Sequence, residues 1–465
     1  MIFTSVQYIV FFAVILLLLH VIHVNKYKKM LLLVASYLFY SFWDYRFVAL
    51  IVGMTLVNHL ASSIISRSGN DRERKLWLAI SVVANLATLG FFKYYNFFVE
   101  SANVFLGQWG LSFPFLNIVL PVAISFVTFE VMSYTIDIYR KEIKSHSFWD
   151  FSLLVVFFPH LVAGPILKPR QFLPQLEKDI VIKRDNVISG IQIFIFGVVK
   201  KVVIADNLAH FVDPVFDNPS MYNSLTVWCA VLGYAVQIYC DFSGYSDMAI
   251  GSARCMGLSI PRNFNLPYLS LSVTEFWRRW HISLSTWLRE YLYYSLGGNR
   301  KGRFRQYVNL TIVMLLGGLW HGASWNFVVW GLLHGLGLAI HKAYFDFFLK
   351  KKAIQSRIYQ SCAWLLTFVF VCVTWVFFRS PSFATSGEIL KKMFLFDNQG
   401  ISWYYPLLAV CMTIVVASHI VGRKMEDYPQ VDIRSFRGIF IIVFVLMGIL
   451  FLMPVNSSPF IYFQF

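Results

Sequence analysis

Long apolar runs separated by short polar loops dominate the hydrophobic pattern of this chain. A helix needs ~20 largely apolar residues to cross a bilayer, and about ten runs between Gln7 and Pro454 are long enough. The later runs cover residues 188–205, 225–250, 358–378, 404–421 and 439–453. The pattern predicts an all-α polytopic membrane protein with about ten to eleven transmembrane helices. We expect one membrane-embedded domain over residues 1–465.

One segment is too interrupted for ordinary spans. Residues 145–167 contain Pro159, Gly164 and Pro165 and cannot hold two crossings of ~20 residues each. Irregular backbone is tolerated at membrane depth only where protein or a water-filled cavity satisfies its polar groups. We expect a re-entrant or broken hairpin here, followed by a cytoplasmic surface segment over residues 168–184.

The most informative run is TIVMLLGGLWHGASWNFVVWGLLHGLGLAIH, residues 311–341. Its 31 residues would form a straight helix of about 46 Å, longer than a hydrocarbon core of ~30 Å but too short for two full spans. Gly317, Gly318 and Gly322 surround His321, so we expect a break there and an imidazole inside the membrane. An ionisable side chain at that depth is a functional candidate. A histidine that only packs against a backbone carbonyl is the alternative.

A charged stretch, TEFWRRWHISLSTWLREYLYYSLGGNR, precedes this run. Thr274 is its expected N-cap. Its aromatic and apolar residues recur at three- and four-residue steps, at Trp277, Trp280, Leu284, Trp287, Leu288 and Tyr291. The spacing predicts an amphipathic helix at the membrane interface.

Four polar side chains of this stretch are functional candidates. Arg278, Arg279 and Arg289 could contact anionic headgroups, which makes the helix an anchor, or could bind a phosphate-bearing donor. In the second interpretation His281 is brought toward the active cavity.

The segment QIYCDFSGYSD holds two acidic residues, Asp241 and Asp247, at the end of an apolar span. Residues six positions apart lie roughly 240° apart around a helix, which argues against a paired-carboxylate catalytic site. Ion binding would need further oxygen ligands. We expect these acids to orient a basic partner such as Arg278 or Arg279.

Composition and charge agree with a membrane protein. The chain is 58% hydrophobic and 14% charged, whereas soluble domains carry roughly 25% charged residues. The net charge of +16 comes from basic residues in short loops between apolar runs, a positive-inside distribution that argues against nucleic-acid binding. Six cysteines without C-x-x-C spacing indicate neither a disulfide framework nor a metal site.

The sequence lacks a Gly-rich phosphate loop, an H-E-x-x-H motif and a G-x-S-x-G motif. What remains is a membrane-embedded histidine without a nucleophile of its own. This suits acyl transfer between two substrates, in which histidine takes a proton from an acceptor hydroxyl as it attacks an acyl carbonyl.

Four segments resemble the membrane-bound O-acyltransferase family, in its bacterial alginate O-acetylase and peptidoglycan O-acetylation branch. They are QIYCDFSGYSDMAIG (237–251), PRNFNLPYLSLSVTEFWRRWHISLSTWLREYLYYSLGGNR (261–300), GGLWHGASWNFVVWGLLHG (317–335) and WVFFR (375–379). The resemblance implies a funnel of spanning, re-entrant and interfacial helices around a buried histidine.

The resemblance also implies roles for individual residues. His321, in LWHGASW, matches the essential membrane histidine of the family and is expected to be a general base or to orient the donor. His281, in RRWHISLS, matches the second characteristic polar position and is expected to assist proton transfer or donor placement. Further residues are expected to bind substrate or to shape its site: Arg278, Arg279, Arg289, Trp320, Trp325, Asp241 and Asp247.

The substrates follow from the resemblance alone. It implies acetyl-CoA or another acyl thioester as a cytoplasmic donor substrate, with no permanently bound cofactor. The acceptor is an exported polysaccharide, alginate-like, cellulose-like or peptidoglycan, reached through a separate soluble periplasmic or extracellular O-acetyltransferase. The location implied is the bacterial inner membrane.

Three positions differ from what the resemblance implies. Ala123 stands where glycine is expected, and Glu130 and His160 stand where glutamine is expected. These differences concern the acceptor side.

Other functions stay open. D-alanyl transfer to teichoic acid is a related activity. A transporter of a polysaccharide precursor or an ion would also use broken helices at mid-membrane. A structural scaffold explains neither the buried histidine nor the arginines.

Overall fold

The computed structural model describes residues 1–162, 164–349, 356–425, 427–454 and 460–461. Across these ranges the regular structure is helical and contains no β-strand. The chain divides into two compact units. Unit 1 comprises Met1–Phe194 and Met248–Pro261, and unit 2 comprises Ile195–Asp247 and Arg262–Phe465.

The α-helices follow one another with short connections. In chain order they are α1 (Val6–Val21), α2 (Asn25–Asp44), α3 (Val48–Arg67), α4 (Asp71–Leu89), α5 (Tyr95–Leu106), α6 (Ile124–Tyr139), α7 (Phe148–Val156), α8 (Phe158–Leu161), α9 (Pro169–Leu176), α10 (Arg184–Val198), α11 (Asp206–Asp217), α12 (Ser224–Cys255), α13 (Val273–Arg279), α14 (Ile282–Trp287), α15 (Arg303–His321), α16 (Trp325–Tyr344), α17 (Arg357–Arg379), α18 (Phe383–Leu395), α19 (Pro406–Gly422) and α20 (Phe436–Leu452). π-helical turns continue several of them, at Gly90–Tyr94, Val199–Ala205, Leu288–Tyr293 and Phe345–Leu349.

Several helical stretches are long and apolar enough to cross a membrane. In the described part of the chain these are Asn25–Arg67, Asp71–Trp109, Arg184–Asp217, Ser224–Cys255 and Arg357–Arg379, and α1, α19 and α20 are shorter apolar helices. The predicted runs near residues 225–250, 358–378, 404–421 and 439–453 are confirmed as helices α12, α17, α19 and α20. Phe440, Phe444 and Phe451 of α20 are largely exposed, an arrangement that suits lipid. The chain is a multi-pass membrane protein.

The predicted interruption of this segment is confirmed, because it forms short helices; its re-entrant path stays a prediction. Helices α7 and α8 are only 9 and 4 residues long, and Phe151, Phe157 and Phe158 are buried. The next segment lies at the surface of unit 1, as expected, with Gln171, Glu177 and Lys178 exposed. Its helix α9 turns Phe172 and Leu173 into the core of the same unit.

The stretch expected to form one amphipathic helix is broken in two. Ser272, and not Thr274, caps α13, since its hydroxyl accepts a hydrogen bond from the Glu275 amide at 3.1 Å. The helix stops before His281, whose φ of 41° lies in the left-handed region that a right-handed helix cannot contain. The helix resumes at Ile282 as α14.

The aromatic face of this stretch is also placed differently from the prediction. Trp277, Trp280 and Trp287 are all buried within unit 2, so this face packs inside the protein. Aromatic side chains at helical spacing form a large apolar face. This face can pack against other helices or against lipid, and the spacing alone does not distinguish the two.

The glycine-rich run forms an antiparallel helical hairpin instead of one broken helix. The prediction that the run is too short for two helices was wrong, because the helices extend beyond it. Helix α15 begins at Arg303 and α16 ends at Tyr344, which gives two helices of 19 and 20 residues. The expected break at His321 is confirmed, since α15 ends at this residue. A β-carbon on Gly331 would lie 2.4 Å from the Met314 carbonyl oxygen, so the helices cross too closely for a side chain there.

Two of the positions that differ from the family pattern contact each other in unit 1. His160 Nε2 lies 2.8 Å from Glu130 Oε1, and both side chains are buried. The Leu167 amide donates a hydrogen bond to the same carboxylate oxygen at 3.1 Å. Glu130 therefore ties α6 to α8 and to the chain that follows it.

The close crossing of α15 and α16 gives a first prediction. Gly331→Ala forces a methyl group against the Met314 carbonyl and should destabilise the protein by about 1–3 kcal/mol. Gly448→Ala in α20 is the matched control, because a β-carbon added there would meet no atom within 4 Å. Thermal unfolding of both variants in detergent tests this. Equal melting temperatures would contradict the close crossing.

The Glu130–His160 contact gives a second prediction. Either single change to glutamine removes the buried contact between the carboxyl and imidazole groups and should lower the melting temperature. Glu130→Gln/His160→Gln should be less destabilised than the sum of the two single variants, by about 1 kcal/mol or more. Strictly additive effects in the same unfolding assay would contradict the pairing.

Candidate functional site

His281 and His321 lie together inside unit 2. Their ring centroids are 6.5 Å apart, and both side chains are buried. His321 is the last residue of α15, while His281 occupies the break between α13 and α14. Chain breaks thus place both imidazoles in the interior, next to each other.

Large aromatic side chains enclose the two histidines. Around His321 the ring centroids of Trp320, Trp330 and Phe378 lie at 5.0, 5.0 and 5.3 Å. The ring of Phe242 meets His281 edge-on at 4.6 Å. This apolar enclosure keeps bulk water away from the imidazoles.

Trp325, predicted to form part of the wall of the site, lies at the beginning of α16. It is 53% exposed at the first position of α16, next to the N-cap Ser324. Trp330, one and a half turns further along α16, packs against His321, although a wall position was predicted for Trp325 and not for Trp330. The sequence alone could not decide between them, because the rotation of α16 about its axis depends on its packing.

His281 is held by a buried polar cluster. Asn263 Oδ1 lies 3.1 Å from His281 Nδ1, 3.1 Å from the Ser283 amide nitrogen and 2.9 Å from Ser283 Oγ. His281 lies outside the spanning helices, and burial lowers its pKa to about 3. The imidazole is therefore neutral at physiological pH.

A third buried histidine, His334, lies beyond Trp330. The Trp277 indole N–H donates a hydrogen bond to His334 Nδ1 at 3.1 Å. The ring centroids of Trp330 and His334 are 4.7 Å apart. His334 is thus part of the wall behind His321. The sequence did not indicate this position, because an isolated histidine in an apolar helix gives no sign of what it contacts.

The expectation for Asp241 and Asp247 was wrong in the identity of their partners. Asp247 binds Lys200 at 2.6 Å and accepts a hydrogen bond from the Tyr428 hydroxyl at 2.7 Å. Asp241 Oδ1 lies 2.6 Å from Lys201 Nζ. Lysines that follow α10 thus take the place expected for the arginines of α13.

Lys201 is shared between two carboxylates. Its ammonium also lies 2.8 Å from Asp206, and all three side chains are buried. The second oxygen of Asp241 accepts a hydrogen bond from the Ile461 amide at 2.8 Å. A buried charge is tolerated only when it is paired in this way.

The three candidate arginines differ in availability. Arg279 is bound to Glu275 at 2.9 Å and donates to the Asn265 carbonyl at 3.2 Å. Arg278 is exposed, and the Arg289 side chain is 55% exposed with Glu290 at 3.8 Å. Only Arg278 and Arg289 of this set are thus well placed to meet a ligand from solution.

A cavity of about 270 Å³ lies beside the histidine cluster in unit 2. Its walls include Lys200, Asp247, Arg262, Phe264 and Tyr428. Phe264 packs against Phe242, with ring centroids 5.0 Å apart, and Phe242 in turn contacts His281. The cavity and the histidine pair therefore share a layer of aromatic side chains.

Sequence reasoning missed several residues of the site. Lys200 and Lys201 interrupt an apolar run, a signal that was readable because ionisable groups in such runs are rare. Asn263, Trp330 and Phe378 carried no such signal. In the described residues, no group of three or more His, Cys, Asp or Glu side chains could hold a metal ion.

Comparisons with known proteins found several sequences similar to this chain. The model of the membrane-bound O-acyltransferase family matches residues 81–381. A probable alginate O-acetylase of Pseudomonas aeruginosa is 42% identical over 407 residues, covering 86% of this chain and 76% of the relative. A peptidoglycan O-acetyltransferase of Helicobacter pylori is 35% identical over 94% of this chain and 92% of its own length. A teichoic acid D-alanyltransferase of Streptococcus thermophilus is 28% identical over 50% of this chain and 59% of its own length.

Proposed function

The chain belongs to the membrane-bound O-acyltransferase family, and from this premise we propose that it transfers acetyl groups for O-acetylation of an exported polysaccharide. The relatives named for alginate and peptidoglycan O-acetylation support acetyl as the acyl group. The acceptor is an alginate-like, cellulose-like or peptidoglycan polymer. The single observation that carries the proposal is the buried histidine pair, His281 and His321.

The proposed setting is the bacterial inner membrane. Acetyl-CoA, or another acyl thioester, approaches from the cytoplasm as a donor substrate. A soluble periplasmic O-acetyltransferase receives the acetyl group and passes it to the polymer. About ten to eleven transmembrane helices would form a funnel around His321 in this arrangement.

The proposed reaction is attack of an acceptor hydroxyl on the thioester. The hydroxyl oxygen forms a bond to the acetyl carbon, the carbon–sulfur bond breaks, and the thiolate leaves. His321 takes the hydroxyl proton and returns it to the thiolate, so that the products are an ester and a thiol. His281 assists by positioning a reacting group, and the Trp320, Trp330 and Phe378 rings exclude water that would hydrolyse the thioester.

His321→Ala is the direct test. Loss of a general base should lower acetyl transfer at least about 100-fold while the protein stays folded in the membrane. The assay follows labelled acetyl from acetyl-CoA to a soluble acceptor protein, with purified protein in lipid vesicles. His23→Ala is the matched control, because His23 is exposed outside the site.

The outcomes separate the candidate functions. Full activity of His321→Ala would remove this residue from the mechanism. Transfer from a D-alanyl thioester, but not from acetyl-CoA, would show that the transferred acyl group is D-alanyl. Dependence on an ion gradient without any acyl transfer would favour a transporter.

The exposed arginines give a separate prediction about the donor. Arg278→Ala and Arg289→Ala should raise the KM for acetyl-CoA about 3- to 10-fold, as for loss of about 1 kcal/mol of charge contact, with kcat unchanged. The effect should shrink at high salt, because exposed charges are screened. Arg289→Lys keeps the charge and should retain most of the affinity. An unchanged KM in both alanine variants would exclude these arginines from donor binding.

A further inference from the structure

The atoms around Asn263 determine which nitrogen of His281 carries hydrogen. The backbone N–H of Ser283 is always a donor, and it lies 3.1 Å from the Asn263 side-chain atom assigned as Oδ1. That atom is therefore the oxygen, and the amide cannot be flipped without placing two donors against each other. The Ser283 hydroxyl, at 2.9 Å, donates to the same oxygen.

An amide oxygen accepts hydrogen bonds and cannot donate them. His281 Nδ1 lies 3.1 Å from this oxygen, so Nδ1 must carry the hydrogen. Because the ring is neutral, Nε2 then has the lone pair. His334 is in the opposite state: its Nδ1 accepts from an indole N–H, which can only donate, so its hydrogen is on Nε2.

We propose that Asn263 is a positioning residue for acyl transfer, which holds His281 in the Nδ1–H form and directs the lone pair of Nε2 toward the reacting groups. This rests on the proposed function, in which His281 assists the transfer. His281 accepts a hydrogen bond or a proton there, and it does not act as an acid. Asn263 itself touches no substrate.

Backbone hydrogen bonds around Asn263 fix its position relative to His281. Its own carbonyl accepts a hydrogen bond from the Ile282 amide at 2.9 Å, and the Asn265 amide donates to the Arg279 carbonyl at 2.8 Å. These two bonds attach the segment that carries Asn263 to both sides of the break at His281. The left-handed backbone at His281 and the orientation of its ring are thus fixed by the same short segment.

The ring of His281 contacts side chains of two neighbouring helices. The ring meets Phe242 of α12 and Trp320 and His321 of α15. His321 is the titratable member of this set, and burial is the cause of the lowered pKa of His281. A carboxylate introduced at position 263 would add a negative charge next to His281 Nδ1.

Asn263→Asp is the decisive variant. A carboxylate beside Nδ1–H stabilises the imidazolium form, so the pKa of His281 should rise by about 1–3 units. The acid limb of the kcat profile should move to higher pH by one unit or more, because His281 must be unprotonated to act. Asn263→Ala should lower kcat about 10-fold or more with the KM for acetyl-CoA unchanged.

Asn309→Asp is the matched control for damage to a buried asparagine. Asn309 is equally buried in unit 2, and its amide donates to the Leu296 and Gly298 carbonyls. This variant should lose stability but keep the wild-type acid limb. If Asn263→Asp also kept the wild-type limb, or if Asn263→Ala kept the wild-type kcat, the positioning role would be overturned.

A spectroscopic measurement tests the geometry without any acyl donor. Nitrogen NMR of ¹⁵N-histidine-labelled protein, with His281→Gln used to assign the signal, should show protonated Nδ1 and unprotonated Nε2 for His281. Protonated Nε2 would overturn the proposal whatever the activity. The expected spectrum together with absent acetyl transfer would instead contradict the proposed function and leave the positioning of the ring intact.

Discussion

The close antiparallel crossing of α15 and α16 is the contact on which the site depends. A β-carbon on Gly318 would lie 2.2 Å from the Phe327 carbonyl oxygen, and one on Gly335 would lie 2.7 Å from Thr311. The glycines let the two backbones touch, so the turn between the helices is tight and His321 lies at its start. The same crossing brings Trp330 of α16 against the His321 ring. A wider crossing would separate the imidazole from its wall.

A second constraint is the cost of polar groups in an apolar interior. A buried ion or amide that lacks a partner costs several kcal/mol, so such groups occur in matched sets. Lys201 with its two aspartates is one set, and Lys200 with Asp247 and Tyr428 is another. Asn263 with His281 and Ser283 is a third. The first two balance charge, whereas the third orients an imidazole ring.

The short segment around Asn263 links these features. Arg262 lines the cavity and pairs with Asp427 at 2.5 Å, Asn263 holds His281, and Phe264 separates the cavity from Phe242. Consecutive residues of one segment thus face the cavity and the histidine pair. In the proposed reaction, a donor is brought to a buried base, and such a segment would give the cavity and the histidine pair a common rigid support.

The hydrophobic pattern alone determined the class of the protein, several of its long apolar helices and the break at His321. Each follows from a local property of the sequence. The low share of charged residues indicates the class, the length of the apolar runs indicates the helices, and the glycines beside His321 indicate the break. The family motifs added His281 as its companion. Tertiary structure decided the rest, including the break at His281, the lysine partners of Asp241 and Asp247, and the contact of Trp330 with His321. These depend on contacts between segments far apart in the chain, such as the one between Lys201 and Asp241, and a pattern of residue types along one segment carries no information about such partners.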